Sequence, residues 1–187
     1  MLRRLSVSIV AVVILTASAC GGGEDVEKVD ADDWVADICD AVDDLNEVEN
    51  AGMADLEEAY SDAYYEEDGD LYRDAVVKYT RDYGKALDRF ARDAEDAGEP
   101  DVEGGEEIAA AVQDYVKKEQ RAFERVSREV KALKQTGDDL TEAVDAVVWD
   151  VEFTDLSELI DDTDSRDAED IIDLIYDEGC SDFLFDE

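Results

Sequence analysis

Histidine is absent from this sequence of 187 residues, which removes the commonest general base and the commonest neutral metal ligand. Catalytic triads that use histidine are excluded, and the sequence contains neither G-x-S-x-G nor a glycine-rich loop that would cradle a phosphate. A pair of carboxylates can still catalyse hydrolysis, but 55 acidic residues give no basis for choosing two. The sequence therefore predicts a protein without catalytic activity and without a cofactor, and a hydrolase ranks last among the functions considered.

Basic residues are also scarce, since 17 lysines and arginines face 55 acidic residues and the formal net charge is −38 at pH 7. Residues 24–70 and 135–187 each carry 20 acids and one base, whereas residues 71–134 carry 15 acids and 13 bases. Nucleic acid is excluded as a partner because its binding depends on basic residues that neutralise phosphates. The acidity has two interpretations, a solvated surface that favours solubility or salt tolerance, and a surface that attracts a cation or a basic partner.

Long apolar runs are missing apart from one near the N-terminus. Arg3 and Arg4 precede an apolar stretch at residues 5–15, and the small residues TASA at 16–19 lead to Cys20. This order is typical of a secretory signal peptide. A membrane-spanning helix needs roughly 18 or more apolar residues, so we predict that residues 1–19 form a cleaved signal. The short positive segment favours Sec export, with twin-arginine export as the alternative.

The residues that lead into Cys20 resemble the lipobox of bacterial lipoproteins, in which small residues precede a cysteine that carries diacylglycerol. The resemblance covers residues 1 to about 23 and departs from the common pattern at Ala17, where leucine is usual. It implies a lipid on Cys20 and a protein held at the extracytoplasmic side of the cell membrane. Small envelope lipoproteins of bacteria, including high-GC actinobacteria, are similar in this respect. Residues 17–19 also form an A-x-A cleavage site, so a secreted soluble protein is one alternative, and an uncleaved anchor is the other.

Three glycines follow Cys20 and polar residues follow the glycines, a composition that predicts a flexible tether over residues 20–31. The remaining residues, 32–187, are the length of one domain with a single hydrophobic core.

Proline occurs once, at Pro100, and apolar residues recur at the three- and four-residue spacing of helices along most of the chain. Asn50 and Gly52 are predicted to end the first helix, Gly137 to follow the end of the third long helix, and Ser165 to cap the last one. The predicted helices cover residues 32–49, 53–94 with a polar break at 66–70, 106–136, 140–160 and 166–178. These segments predict an all-α fold, an antiparallel bundle of four to five helices behind the flexible tether.

The cysteine count of three leaves a pair once Cys20 carries a lipid. Cys39 lies on the apolar face of the first predicted helix, and Cys180 directly follows the last. A bundle that brings these two ends together places the cysteines side by side, so we predict a Cys39–Cys180 disulfide. A redox pair is the alternative, but the sequence contains no C-x-x-C.

Two rows of basic residues occur at helical spacing in the nearly neutral middle of the chain. The first row is Arg81, Lys85 and Arg89, and the second is Lys117, Arg121, Arg125 and Arg128. Pairing with acids inside the bundle is one interpretation. The other is that the second row forms an exposed docking face for an anionic polymer or protein.

Six of the eight tyrosines lie between residues 60 and 83. Their helical spacing favours packing in the core, and a pocket for a glycan, lipid or peptide is the alternative. A dense acidic run near the C-terminus offers Asp162, Asp164 and Asp167 as weak candidate ligands for a metal ion, although it lacks the turn glycine of an EF-hand.

These observations predict a lipid-anchored, non-catalytic protein of the cell envelope that acts as an accessory or protein-interaction module. The membrane, reached through the lipid on Cys20, and an envelope protein are the expected partners. The alternative is an extracytoplasmic binding protein for a cation or small ligand.

Overall fold

A computed structural model of the chain describes residues 28–151, 154, 156–163, 165–178 and 180. Two strands of two residues, β1 (Lys28–Val29) and β2 (Glu99–Pro100), pair in parallel. The remaining elements among the described residues are six helices, α1 (Ala31–Glu66), α2 (Gly69–Asp96), α3 (Gly105–Ala132), α4 (Asp138–Trp149), α5 (Leu156–Asp161) and α6 (Ala168–Glu178). The predicted all-α bundle is confirmed.

The first helix is longer than predicted, because α1 continues through Asn50 and Gly52 for 36 residues. The prediction that these residues end the helix is wrong. A Cβ atom at Gly52 would collide with the ring of Tyr79 on α2, with Cε2 only 2.6 Å away. Glycine inside a helix costs about 1 kcal/mol, and here it allows the aromatic ring to lie directly on the backbone of α1. Close packing of the two helices outweighs the low helix propensity of this residue.

The turn between α1 and α2 confirms the predicted polar break. Glu67 adopts a left-handed conformation with a φ of 55°, and the N–H of Asp68 donates to the carbonyl of Ala63 at 3.1 Å. The side chain of Asp68 then accepts from the N–H of Asp70 at 3.1 Å and caps α2. Gly69 has no room for a Cβ, since Leu140 Cβ lies 2.8 Å from that position. The turn therefore packs tightly against the start of α4.

Three helix ends differ from the prediction. Gly137 directly precedes α4, and its carbonyl accepts from the N–H of Leu140 at 3.0 Å, so it does not end α3. The predicted helix over 140–160 is divided into α4 and α5. Ser165 lies three residues before α6, where its hydroxyl accepts from the N–H of Asp167 and donates to the carbonyl of Glu103. The predicted end at Gly179 lies outside the described residues.

The core has two parts because α1, α2 and α3 are long enough to reach beyond one cluster of side chains. The first part joins the N-terminal half of α1 to α2, α3, α5 and α6. The second joins the end of α1 and the start of α2 to the end of α3 and to α4. Trp34 is 1% exposed in the first part, and its indole N–H donates to the carbonyl of Gly98 at 3.1 Å.

A disulfide joins Cys39 on α1 to Cys180 beyond α6, with the two Cα atoms 5.5 Å apart and 141 positions between them in sequence. Both cysteines are buried. The predicted pairing is confirmed, and it holds the last described residue against the first helix.

Candidate functional site

The lipid anchor cannot be placed on this fold, because Cys20 and the signal segment lie outside the described residues. Within the described ranges, no helix combines the length and the apolar character that crossing a membrane requires. The lipid on Cys20 stays a prediction.

The second basic row, Lys117, Arg121, Arg125 and Arg128, forms an exposed line along α3 that we call the α3 basic row. Lys117 pairs with Asp114 of the same helix at 3.2 Å. The three arginines make no ion pair with any residue that the structure describes. The acidic flanks of the chain therefore do not neutralise these arginines within the described residues.

The first basic row behaves differently. Asp82 on α2 accepts from Arg81 at 3.2 Å and from Lys85 at 2.9 Å. These two hydrogen bonds hold the pKa of Asp82 at about 2, below its ordinary value. The interpretation of basic residues as internally paired therefore applies to Arg81, Lys85 and Lys117. Arg89 and the three arginines of the α3 basic row make no ion pair with any described residue.

A groove of about 570 Å³ runs between the second half of α1 and the first half of α2. Its floor is apolar and its rim carries five carboxylates, and we call it the acidic groove. The floor comprises Val48, Ala51, Gly52, Ala59, Leu71, Ala75 and Tyr79, and the rim comprises Glu47, Asp55, Glu58, Asp62, Asp82 and the single base Lys78. Sequence periodicity did not predict this groove, because it depends on how two helices lie beside each other.

Lys78 reaches across the acidic groove from α2 to α1. Its ammonium group lies 2.8 Å from a carboxylate oxygen of Asp55 and 3.9 Å from one of Asp82. The hydrogen bond to Asp55 raises the pKa of Lys78 above its ordinary value. Lys78 therefore occupies two of the five rim carboxylates, and within the described residues Glu47, Glu58 and Asp62 make no ion pair.

Of the six tyrosines between residues 60 and 83, two are buried in the core, one is half-buried and three are exposed, so the packing interpretation holds only in part. Tyr72, Tyr83 and Phe90 are 7%, 5% and 1% exposed. Burial, followed by the nearby charge of Asp145, raises the pKa of Tyr72 to about 12. Tyr79 is half-buried and also lines the acidic groove. Tyr60, Tyr64 and Tyr65 are 43%, 67% and 81% exposed.

Glu119 is a buried carboxylate that the sequence analysis missed. It is 2% exposed on α3 and accepts from the backbone N–H of Thr154 at 2.9 Å. A buried acceptor for a backbone N–H ties the segment between α4 and α5 to the core. The available signal was its position, since residue 119 falls four positions after Tyr115 and four before Phe123 in the apolar stripe of α3.

The acidic run near the C-terminus has a structural role at one of its three candidate ligands. Asp167 accepts from the backbone N–H of Glu103 at 3.0 Å and joins the start of α6 to the loop before α3. Asp162 is exposed, and Asp164 lies outside the described residues. In the part of the chain that the structure describes, no three acidic or cysteine side chains are grouped to hold a metal ion.

No family model, curated protein or solved structure matches this chain. The candidate sites therefore rest on geometry and charge alone. Two surfaces stand out, the α3 basic row and the acidic groove, and they lie on different helices.

Proposed function

We propose that this chain is a lipid-anchored, non-catalytic protein of the cell envelope that acts as an accessory or interaction module. The α3 basic row is its docking face, and the partner presents a complementary acidic surface. The observation that carries the proposal is that three exposed arginines lack an acidic partner among the described residues of a chain with 55 acids.

Export is supported by two independent features. The signal segment and the residues before Cys20 resemble those of bacterial lipoproteins. The Cys39–Cys180 disulfide joins two distant parts of the chain, and disulfides persist mainly in oxidising compartments outside the cytosol.

The negative charge of the rest of the chain directs an acidic partner to the α3 basic row. Lys117 and Arg128 are eleven residues apart, which is about 16 Å along a helix. The guanidinium group of arginine is planar and carries five N–H donors, so it can hold one carboxylate through two parallel hydrogen bonds. The flanks of the chain carry 20 acids each, so an acidic partner is repelled from them and attracted to α3. Such complementarity mainly sets the association rate and the orientation of the complex.

The decisive experiment cross-links the protein in its native membranes and identifies the proteins that are recovered with it. A variant with Lys117, Arg121 and Arg125 changed to glutamine should lose the partner. A matched variant with Lys28, Lys134 and Arg166 changed to glutamine loses the same charge at exposed positions elsewhere, and it should keep the partner.

A Cys20→Ala variant separates docking from anchoring, since it should release the protein from the membrane while leaving the α3 basic row intact. Equal recovery of the partner by both glutamine variants would contradict docking through α3. Absence of diacylglycerol on Cys20 in mass spectra of the membrane-extracted protein would contradict the lipid anchor.

A further inference from the structure

The acidic groove is long and narrow. Its lining extends from Glu47 to Asp62 on α1 and from Leu71 to Asp82 on α2. These spans correspond to about 22 Å and about 16 Å of helix. A volume of about 570 Å³ lies within the usual range for ligand sites. The groove is therefore long enough to hold an extended aliphatic ligand along the two helices.

The floor of the groove offers apolar contact along this length. Val48, Ala59, Leu71 and Ala75 line it with short or branched aliphatic side chains. The ring of Tyr79 adds an aromatic face, which attracts a cation as well as an alkyl group. An extended ligand in contact with this floor gains by burying methylene groups.

The rim determines the charge of the ligand. Glu47, Asp55, Glu58 and Asp62 follow one side of α1 at helical spacing, and the last three are about 4.5 Å and 6 Å apart along the axis. Lys78 shows which group these carboxylates accept, because an ammonium on an alkyl stem already lies against Asp55.

A bare metal ion fits this arrangement poorly. Calcium requires six to eight oxygen ligands that converge on one point, whereas the rim carboxylates are spread along a line. No group of three acidic side chains within the described residues is arranged to hold a metal. The rim instead matches a ligand whose positive charges are separated by alkyl segments.

We propose that the acidic groove binds a linear aliphatic polyamine. Its methylene segments lie on the apolar floor, and its ammonium groups pair with Glu58 and Asp62, two of the rim carboxylates that Lys78 does not occupy. This site lies on α1 and α2 and does not depend on the docking role of α3 or on the lipid.

Isothermal titration of the full chain with spermidine at about 0.15 M salt tests the proposal, because surface attraction is largely screened there. We expect saturable binding of one spermidine per chain. The double change of Glu58→Gln and Asp62→Asn should weaken binding about five- to tenfold, as expected for two exposed ion pairs. The matched change of Glu57→Gln and Asp43→Asn removes the same charge from exposed positions of α1 outside the groove. It should alter the affinity less than twofold.

A steric variant separates the groove from the charge of the surface. Ala59→Leu places a larger side chain on the floor without changing any charge, and it should weaken spermidine binding at least tenfold. Ala110→Leu makes the same change at an exposed position of α3 and should have no effect. Circular dichroism spectra and thermal unfolding establish that all variants remain folded.

Three results would overturn the proposal. Equal weakening by the two charge-matched pairs would mean that spermidine is attracted to the acidic surface in general. Unchanged binding in the folded Ala59→Leu variant would place spermidine outside the groove. Displacement of spermidine by calcium at similar concentrations would make the site one for metal ions.

Discussion

Removing the Cys39–Cys180 disulfide should lower the free energy of unfolding by about 5 kcal/mol. The magnitude follows from the loop that the bond closes, which spans 141 positions in sequence. In the chain-entropy relation, a loop of this length removes about 17 cal/mol/K of entropy from the unfolded chain, or about 5 kcal/mol at 25 °C. Domains of this size are stable by about 5–15 kcal/mol in total. The bond therefore accounts for a large share of the stability of this fold.

The assay is urea unfolding, followed by far-ultraviolet circular dichroism, of the oxidised protein, the reduced protein and the double variant Cys39→Ala with Cys180→Ala. A Cys20→Ala background in all samples removes the third thiol and the lipid. Reduction and the double substitution should each lower the urea midpoint. The dependence of the free energy of unfolding on urea concentration should become steeper, because the unfolded chain without the bond exposes more surface. Reductant should have no effect on the double variant.

A loss of less than about 1 kcal/mol on reduction would refute the entropy argument. The unfolded chain would then be as compact without the bond as with it. A large loss in the double variant together with a small loss on reduction would assign the stability to packing of the two buried sulfur atoms.

Three further predictions concern single residues. Gly52→Ala should lower the free energy of unfolding by about 1–3 kcal/mol because the added methyl group meets the ring of Tyr79. Gly84→Ala, which has open space at its Cβ, should raise the free energy of unfolding by up to about 1 kcal/mol. Equal urea midpoints for the two variants would contradict this prediction. Glu119→Ala should cost about 1–3 kcal/mol and speed hydrogen exchange at the amide of Thr154, since a part-buried N–H loses its acceptor. Glu119→Gln, which keeps an acceptor oxygen, should cost less. The pKa of Tyr72 is raised by burial to about 12, so the unfolded chain releases the phenol proton at a lower pH than the folded chain does. The free energy of unfolding should therefore fall as the pH rises from about 10 to 12. Tyr72→Phe should make alkaline unfolding less steep, as monitored by tyrosinate absorbance.

Helical periodicity predicted the long elements well because each buries one apolar stripe. The bounds of α2 and α3 follow the stripes that contain Tyr83 and Val112. Gly52 shows where such reasoning fails, since a glycine marks either a helix end or a close approach of another element. Only the position of Tyr79 decides between these meanings, and that position is a property of the tertiary fold.

The candidate sites were predictable to different degrees. The odd number of cysteines and the apolar helix face that contains Cys39 were sufficient to predict the disulfide. The α3 basic row was visible as spacing, but whether its three arginines find acidic partners among the described residues depends on which helices approach α3. The acidic groove was not predictable, because its rim combines Glu58 of one helix with Asp82 of the next.

The short parallel ladder of β1 with β2 determines which end of the bundle faces the membrane once Cys20 carries a lipid. Pairing of Lys28 with Glu99 holds the chain at the end of the bundle where α1 begins. Eight peptide steps separate Cys20 from Lys28, and they reach at most about 28 Å. Helix α1 extends about 54 Å from that end. Under the proposed lipid anchor, the end at β1 and β2 is the one near the membrane, and the acidic groove lies in the half of α1 and α2 that is nearer Gly69.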